Sequence, residues 1–415
     1  MLNTNHESFF KELADLKSRF EAMEPELELT VSDPKMNVEG FVVVWNTGIC
    51  KGGYFDQDHT GRGCGKGGTR IMKDLSLEDV KRLAKTMAEK NAAAGLDMGG
   101  AKSGLNADPN ASDYEKKYRR FIELVKEEGV LYEDGGVFGG FGYDIGGKPP
   151  LNAIWACDTL NSIHSFTGKP VDMGGTDYDK VGIAGLGVAV AGKALCDYKN
   201  LDLLSTTFAV QGLGAMGGAV VHYFHECGPN LKAVGDPRID GTWVFDGTPS
   251  EDVIEAIYTQ DLKTLKKLLK AQARHVSKDP SDVLYQDVDV LFPCALEDSI
   301  TKDNVEKVIA PYIIEGANNP TTTESYEVMQ SRGQVFVPDI LANPGGIIAA
   351  YVELTSSVSI EENIKTRAKV KEAMQVTRER VTQNVIEMLK MSDDLCVRPD
   401  FVAQYMTYKN IFKEG

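Results

Sequence analysis

The sequence predicts an α/β fold in two domains, and three observations predict it. Along most of the chain, segments with helical spacing of apolar residues alternate with short runs rich in valine, isoleucine and phenylalanine. A strand, a glycine turn and a helix follow one another directly over residues 206–227, and the pattern changes character there. At 415 residues and 42% hydrophobic content, the chain can fill two cores, three at most.

Taken in order, the periodicity predicts helices near 7–23, 77–95 and 113–128 and a strand at 41–45. Between them lie three glycine-dense stretches, CGKGGTR at 64–70, MGGAKSGL at 98–105 and GGVFGGFGYDIGG at 135–147. They read as loops whose polar side chains sit among glycines, so that backbone can approach a ligand closely, the texture of a substrate cleft. A helical stretch at 181–198 leads to the strand at 206–210 and a helix at about 216–227. The runs at 287–295, 312–317 and 335–339 read as buried parallel strands, and from about 345 the chain is largely helical and packs back on the first domain.

The turn between that strand and helix is Gly212-Leu213-Gly214-Ala215-Met216-Gly217, with GxGxxG spacing. Its glycines permit a tight turn, and the amides at the helix start face a pyrophosphate. Asp236 ends the next strand, about 20 residues on, where an acceptor for ribose hydroxyls belongs. The alternative is a glycine turn that merely packs. The cofactor reading makes residues 181–350 a Rossmann dinucleotide-binding domain and 1–180, completed by the helices of 351–415, an α/β substrate domain, with a catalytic cleft between the two. Asp236 favours NAD, and Arg238 two residues on leaves NADP possible.

Composition excludes several other functions. Lysine plus arginine is 45 against 61 for aspartate plus glutamate, a formal charge of −16, which opposes attraction to nucleic acid or anionic lipid. No run approaches the ~20 apolar residues of a membrane helix, and the first residues form a charged amphipathic pattern, so a cytoplasmic location is expected. Seven scattered cysteines without a CxxC pair suit a reducing compartment, and the six histidines include no HExxH; no metal is expected. Small molecules are the expected partners.

A second group of residues is basic. Lys66 and Lys102 are wedged between glycines, Lys90 ends a helix with an apolar face, and Asp144 lies in GYDIGG. Each lysine has a solvated surface reading. The competing reading is a lysine in a dry cleft, which binds a carboxylate or, with its pKa lowered by burial, acts as a base.

These segments resemble the glutamate/leucine/phenylalanine/valine dehydrogenase family, and glutamate dehydrogenases above all. The matching signatures are KGGxR at 66–70, KNAxAGLxxGGAKxG at 90–104, DIGG at 144–147, GxGxxG at 212–217, DVDVLxPCA at 287–295, GANNPTT at 316–322 and NPGGI at 343–347, in the family's order. The resemblance implies reversible NAD(P)-dependent oxidative deamination of an L-amino acid, glutamate first, to a 2-oxo acid and ammonium, by a homo-oligomer that is a hexamer in relatives. It implies Lys102 as the catalytic lysine and Asp144 as the proton-shuttling acid. Lys90 is implied to hold the α-carboxylate, Lys66 the side-chain carboxylate and Asn343 the amino-acid group, with Asn318 at the nicotinamide end.

Departures from the family pattern cluster at functional places: Ala184, Ala215, Phe141-Gly142-Tyr143 before Asp144, and Ala350 in place of a hydroxyl directed at the distal carboxylate. Met87 resembles the branched-chain members. The alternatives are therefore an aliphatic amino-acid dehydrogenase and a catalytically weakened regulatory relative. A 2-hydroxy-acid dehydrogenase would need a histidine in the glycine-rich segments, and none is there.

Overall fold

The computed structural model describes residues 2–47, 64–131 and 141–412. Cys50 and the 135–140 part of the third glycine-dense stretch lie outside the described residues. By packing, the chain divides into two compact units. One comprises Phe9–Asp177, Ile347–Ala373 and Tyr405–Gly415; the other comprises Met1–Ser8, Tyr178–Gly346 and Met374–Gln404. Residues 374–404 thus group with the dinucleotide-fold unit, whereas the sequence alone assigned all of 351–415 to the other.

The first unit is built on a five-stranded sheet: β1 (Leu27–Asp33), β2 (Val38–Trp45), β3 (Gly65–Lys66), β4 (Thr69–Met72) and β5 (Gly99–Asn106), in the order β1-β2-β5-β3, with β4 also on β5. β1 and β2 are antiparallel, as are β2 and β5, whereas β3 and β4 run parallel to β5. β2 reads as continuous apolar sequence because both its faces are covered. Val42 and Val44 join a core with Phe121 and Tyr118 of the helix Tyr114–Glu127. Phe41, Val43 and Trp45 join a second core with Val80, Ala84 and Ala88 of the helix Leu77–Ala93. That helix starts on a capping box, Ser76 and Asp79 bonding each other's backbone amides, a device worth about 1 kcal/mol.

The stretches 64–70 and 98–105 prove to be strands rather than loops. The reason is steric: glycine on β5 lets the helix Leu77–Ala93 press directly on the sheet. A Cβ at Gly100 would overlap the backbone of Ala84 and Ala88, and one at Gly104 would run 2.6 Å from Leu75 and Val80. Both faces of β5 are buried, so its sequence shows no apolar–polar alternation, and its glycines disguise it as a loop.

The second unit carries β6 (Thr207–Gln211), β7 (Asn230–Asp236), β8 (Gly241–Phe245), β9 (Ala273–Ser277), β10 (Val290–Pro293), β11 (Tyr312–Ile314) and β12 (Val335–Val337), ordered β12-β11-β10-β6-β7-β8-β9. The first five in that order are parallel; β8 and β9 are an antiparallel edge. Phe208 of β6, Phe292 of β10 and Phe224 of the helix Ala215–His225 meet edge to face, with centroids 4.9–6.0 Å apart. The connections leave β6 and β10 in opposite directions, so the crevice at their carboxyl ends is the topological switch point where ligands of such sheets bind.

Candidate active site

At that switch point the glycine turn follows β6. Gly212 takes φ +82°, a conformation for which glycine is suited, and a Cβ there would run into Ala295 just beyond β10. Gly214 precedes the helix Ala215–His225, with no side chain capping its amides and nothing within 4 Å of where a Cβ would be. A Cβ on Gly217 would overlap the carbonyl of Gly212, so the third glycine sets how closely helix and strand pack. Free helix-end amides beside open space fit a pyrophosphate.

Asp236, at the end of β7, is buried and accepts four hydrogen bonds. They come from Leu213 N at 2.7 Å, Arg238 N at 2.8 Å, and Arg238 Nε and Nη2 at 2.9 Å each. Burial works to raise this carboxyl, but Arg238 and the two amides hold it below the usual carboxylate range. Arg238 also donates Nη1 to Gln260 at 3.0 Å. On the other side of the switch point Asn343 donates to Gly316 O at 3.1 Å and Asn318 Oδ1 at 3.2 Å, which brings the two predicted asparagines together.

Beneath that loop lies a group the sequence reading missed. Glu315, fully buried at the end of β11, accepts Tyr326 OH at 2.9 Å and Asp339 N at 3.1 Å; Asp339 in turn accepts Asn319 N at 3.1 Å. Burial first, and the neighbouring Asp339 carboxylate second, push Glu315 up to about 8. The folded protein therefore keeps a proton that an unfolded glutamate releases from 4.5 upward, and stability falls as pH rises across that window. Glu315→Gln is expected to remove this slope, so that its Tm advantage over wild type is larger at about pH 8 than at about pH 5. A Tm difference independent of pH in thermal melts would refute the assignment.

In the first unit, Lys66 on β3, Lys102 on β5 and Asp144 come together with two residues not predicted, Arg70 and Asn91. Lys66 is 3% exposed. Its Nζ donates to Phe141 O and, at 3.1 Å, to Gly67 O, and among the described residues no carboxylate pairs with it. Burial pushes this ammonium down to about 7. Asn91, fully buried, donates to Lys66 O at 3.1 Å and Gly99 O at 2.7 Å, tying the backbones of β3 and β5.

Lys102 Nζ lies 2.7 Å from Asp144 Oδ2. Burial pushes the Lys102 ammonium below its ordinary value against the pull of Asp144, and Lys90, in the last turn of the helix Leu77–Ala93, pushes it the same way. Asp144 is held in place by β4: Thr69 bridges Tyr143 in parallel, with Thr69 N on Gly142 O at 3.0 Å and Ile71 N on Ile145 O at 2.9 Å. Burial would raise its carboxyl, but Lys102 and Arg70 hold it below the usual range. A hydrogen-bonded lysine–carboxylate pair with both pKa values displaced is equipped to move protons.

A further ion pair fixes this unit. Lys169 Nζ meets Glu353 Oε1 at 2.6 Å with both side chains buried, and Glu353 also accepts Gly168 N, Lys169 N, Thr176 N and Thr176 Oγ1 at 3.1–3.2 Å.

A phosphate-type glycine turn at the switch point of a doubly wound sheet in one unit, and a hydrogen-bonded lysine–aspartate pair in the other, each fit a nicotinamide-dependent dehydrogenase. Residues 174–409 match the profile of Glutamate/Leucine/Phenylalanine/Valine dehydrogenase, and residues 38–132 that of the Glu/Leu/Phe/Val dehydrogenase dimerisation domain. The chain is 33% identical over 384 residues to glutamate dehydrogenase A2 of Halobacterium salinarum, covering 89% of this chain and 85% of that one. It is 34% identical over 339 residues to glutamate dehydrogenase of Thermotoga maritima, covering 79% and 77%. Among solved structures, the hetero-hexameric glutamate dehydrogenase from Thermus thermophilus superposes with a TM-score of 0.70 at 22% identity, over 98% of this chain and 94% of that chain. The chain belongs to the Glu/Leu/Phe/Val dehydrogenase family. It is an NAD(P)-dependent amino-acid dehydrogenase similar to glutamate dehydrogenase.

Proposed function

We propose that the chain catalyses the reversible oxidative deamination of L-glutamate to 2-oxoglutarate and ammonia. The observation that carries this reading is Lys66, a buried ammonium that no carboxylate of the described residues pairs with, in the place where the resemblance implies the substrate's side-chain carboxylate. A buried charge without a counterion is costly, and an acidic substrate supplies one. The names of the relatives support the same substrate.

In this reading Lys90 holds the α-carboxylate and Asn343 the amino-acid group. Lys102, its proton affinity lowered by burial, takes a proton from the water that adds to the substrate imine, and Asp144, in contact with Lys102 Nζ, relays protons to and from the nitrogen. Gly212, Gly214 and Gly217 receive the pyrophosphate of the dinucleotide, Asp236 and Arg238 face its ribose, and Asn318 lies at the nicotinamide end. When bound, the nicotinamide supplies the acceptor for the hydride of the substrate α-carbon.

NAD is the preferred cofactor, with NADP accepted. The negative charge of Asp236 opposes a 2′-phosphate, but its hydrogen-bonding capacity is filled from within the protein, and Arg238 stands beside it with a cation for that phosphate. Arg238→Ala is expected to free the carboxylate and raise the NAD-over-NADP ratio of kcat/KM by about tenfold or more. A ratio unchanged by the substitution, measured with both cofactors, would remove Arg238 from the site.

The chain works as a homo-oligomer, a hexamer by resemblance to its relatives, in the cytoplasm. The match to a dimerisation-domain profile supports the oligomer, and among the described residues no helix is long and apolar enough to cross a membrane. A second reading, an aliphatic amino acid as substrate, is favoured by Ala350 and by Met87, whose Cγ lies 3.1 Å from where a Cβ on Gly67 would be, beside Lys66. Reduction of NAD and NADP followed at 340 nm with glutamate, aspartate, leucine, valine and phenylalanine separates the two. Cofactor binding without reduction by any of them would instead identify a regulatory relative.

A further inference from the structure

Among the described residues Asp144 has two cationic partners, and only one of them belongs to the proposed proton-handling pair. Lys102 Nζ approaches Oδ2 at 2.7 Å; Arg70 approaches the same oxygen with Nε at 2.8 Å and the other oxygen with Nη2 at 3.4 Å. A guanidinium fork on both oxygens fixes the plane of a carboxylate, which a single lysine contact does not. Arg70 is itself fixed, because it lies inside β4, paired in register with Gly104 of β5, and the bridge from Thr69 to Tyr143 sets it beside Asp144. The two groups lie mostly out of solvent, with side-chain exposures of 19% and 18%, so their interaction is only partly screened.

Among the described residues, the charges that meet here come from each neighbouring element: Lys102 from β5, Lys66 from β3, Arg70 from β4, Lys90 from the helix Leu77–Ala93, and the carboxylate of Asp144. With Arg70 charged, the Arg70–Asp144–Lys102 group is a net cation when Lys102 holds its proton. That arrangement disfavours the proton on Lys102 and, equally, keeps Asp144 ionised.

We propose that Arg70 is a positioning residue for the reaction: it aims Asp144 at Lys102 and, by its fixed positive charge, sets the proton affinity of the pair so that Lys102 is able to act as a base near neutral pH. This rests on the reading of Lys102 and Asp144 as the proton-handling pair. Loss of the Arg70 charge raises the affinity of both partners for a proton. In the deamination direction, where Lys102 must be unprotonated, the rising limb of the pH profile then moves to higher pH.

The test is the pH dependence of kcat/KM for amino-acid oxidation in wild type, Arg70→Lys and Arg70→Met. Arg70→Met is expected to move the rising limb up by about one pH unit. Arg70→Lys keeps the charge but not the fork, so its limb stays within about 0.3 unit of wild type while kcat falls about tenfold or more. A limb that does not move in Arg70→Met, whatever its kcat, overturns the proposal and leaves Arg70 a structural residue. Should Arg70→Met fail to fold, judged by loss of dinucleotide binding, Arg70→Gln carries the same expectation, since it retains a donor to Asp144 without the charge. Failure of the underlying reading has a different signature: Lys102→Ala would then oxidise substrate at the wild-type rate.

Discussion

Lys102→Ala is expected to lower turnover by about 10²- to 10⁴-fold or more while dinucleotide affinity stays near that of wild type. In the proposed reaction this removes the group that takes the proton of the attacking water. The fold keeps its integrity because Asp144 does not become an isolated buried charge: Arg70 still bonds it at 2.8 Å. Binding survives because the phosphate turn, Gly212 to Gly217, belongs to the other packed unit of the chain. Single-turnover kinetics beside a fluorescence titration with NADH separates the two effects. Activity within a few-fold of wild type would sink the assignment of Lys102.

Lys66→Leu is expected to cost glutamate roughly 10²-fold in kcat/KM, about 3 kcal/mol for a buried hydrogen bond between charged groups, and to leave leucine and valine unharmed or improved. The pH dependence of wild type sharpens this. Since burial brings the Lys66 ammonium down to about 7, the group sheds its proton above that pH when no carboxylate is bound. Glutamate must then bring a proton in with it, and its kcat/KM relative to leucine is expected to fall by up to about tenfold per pH unit above neutrality. Below neutrality the charged amine penalises an apolar substrate, so the ratio goes on favouring glutamate. In Lys66→Leu the ratio is flat with pH. A wild type that prefers leucine and is indifferent to the substitution would put Lys66 outside the site.

The sequence made the dinucleotide half of this protein legible because its chemistry is written in backbone. Gly212 and Gly217 each have a separate steric reason to lack a side chain, Gly214 leaves open space beside the helix start, and Asp236 follows at a distance set by one helix and one strand. Lys66 and Lys102 were legible for a related reason, the glycines flanking them, although those glycines hid the strands on which the lysines sit. What escaped was long-range. Arg70 looks like any strand arginine until the chain returns 74 residues later with Asp144, and Lys169 finds Glu353 184 residues on. Glu315 betrays nothing in sequence either, because its burial depends on the packing of β11 against Tyr326 and Asp339. Spacing reveals partners on one element; pairing between distant segments leaves no periodic trace.

One helical turn before Glu353 on the same helix stands Ala350. Five hydrogen bonds, all from residues 168–176, leave that helix no freedom to slide or rotate against the segment it faces without breaking a buried ion pair, a rupture costing about 3–5 kcal/mol. The backbone under residue 350 is therefore a fixed scale mark. In the proposed function, where residue 350 faces the distal end of the substrate, a shorter or longer amino acid is met by a different side chain at that mark rather than by breathing of the helix. Preference among substrates is then inherited in discrete steps, one residue at a time.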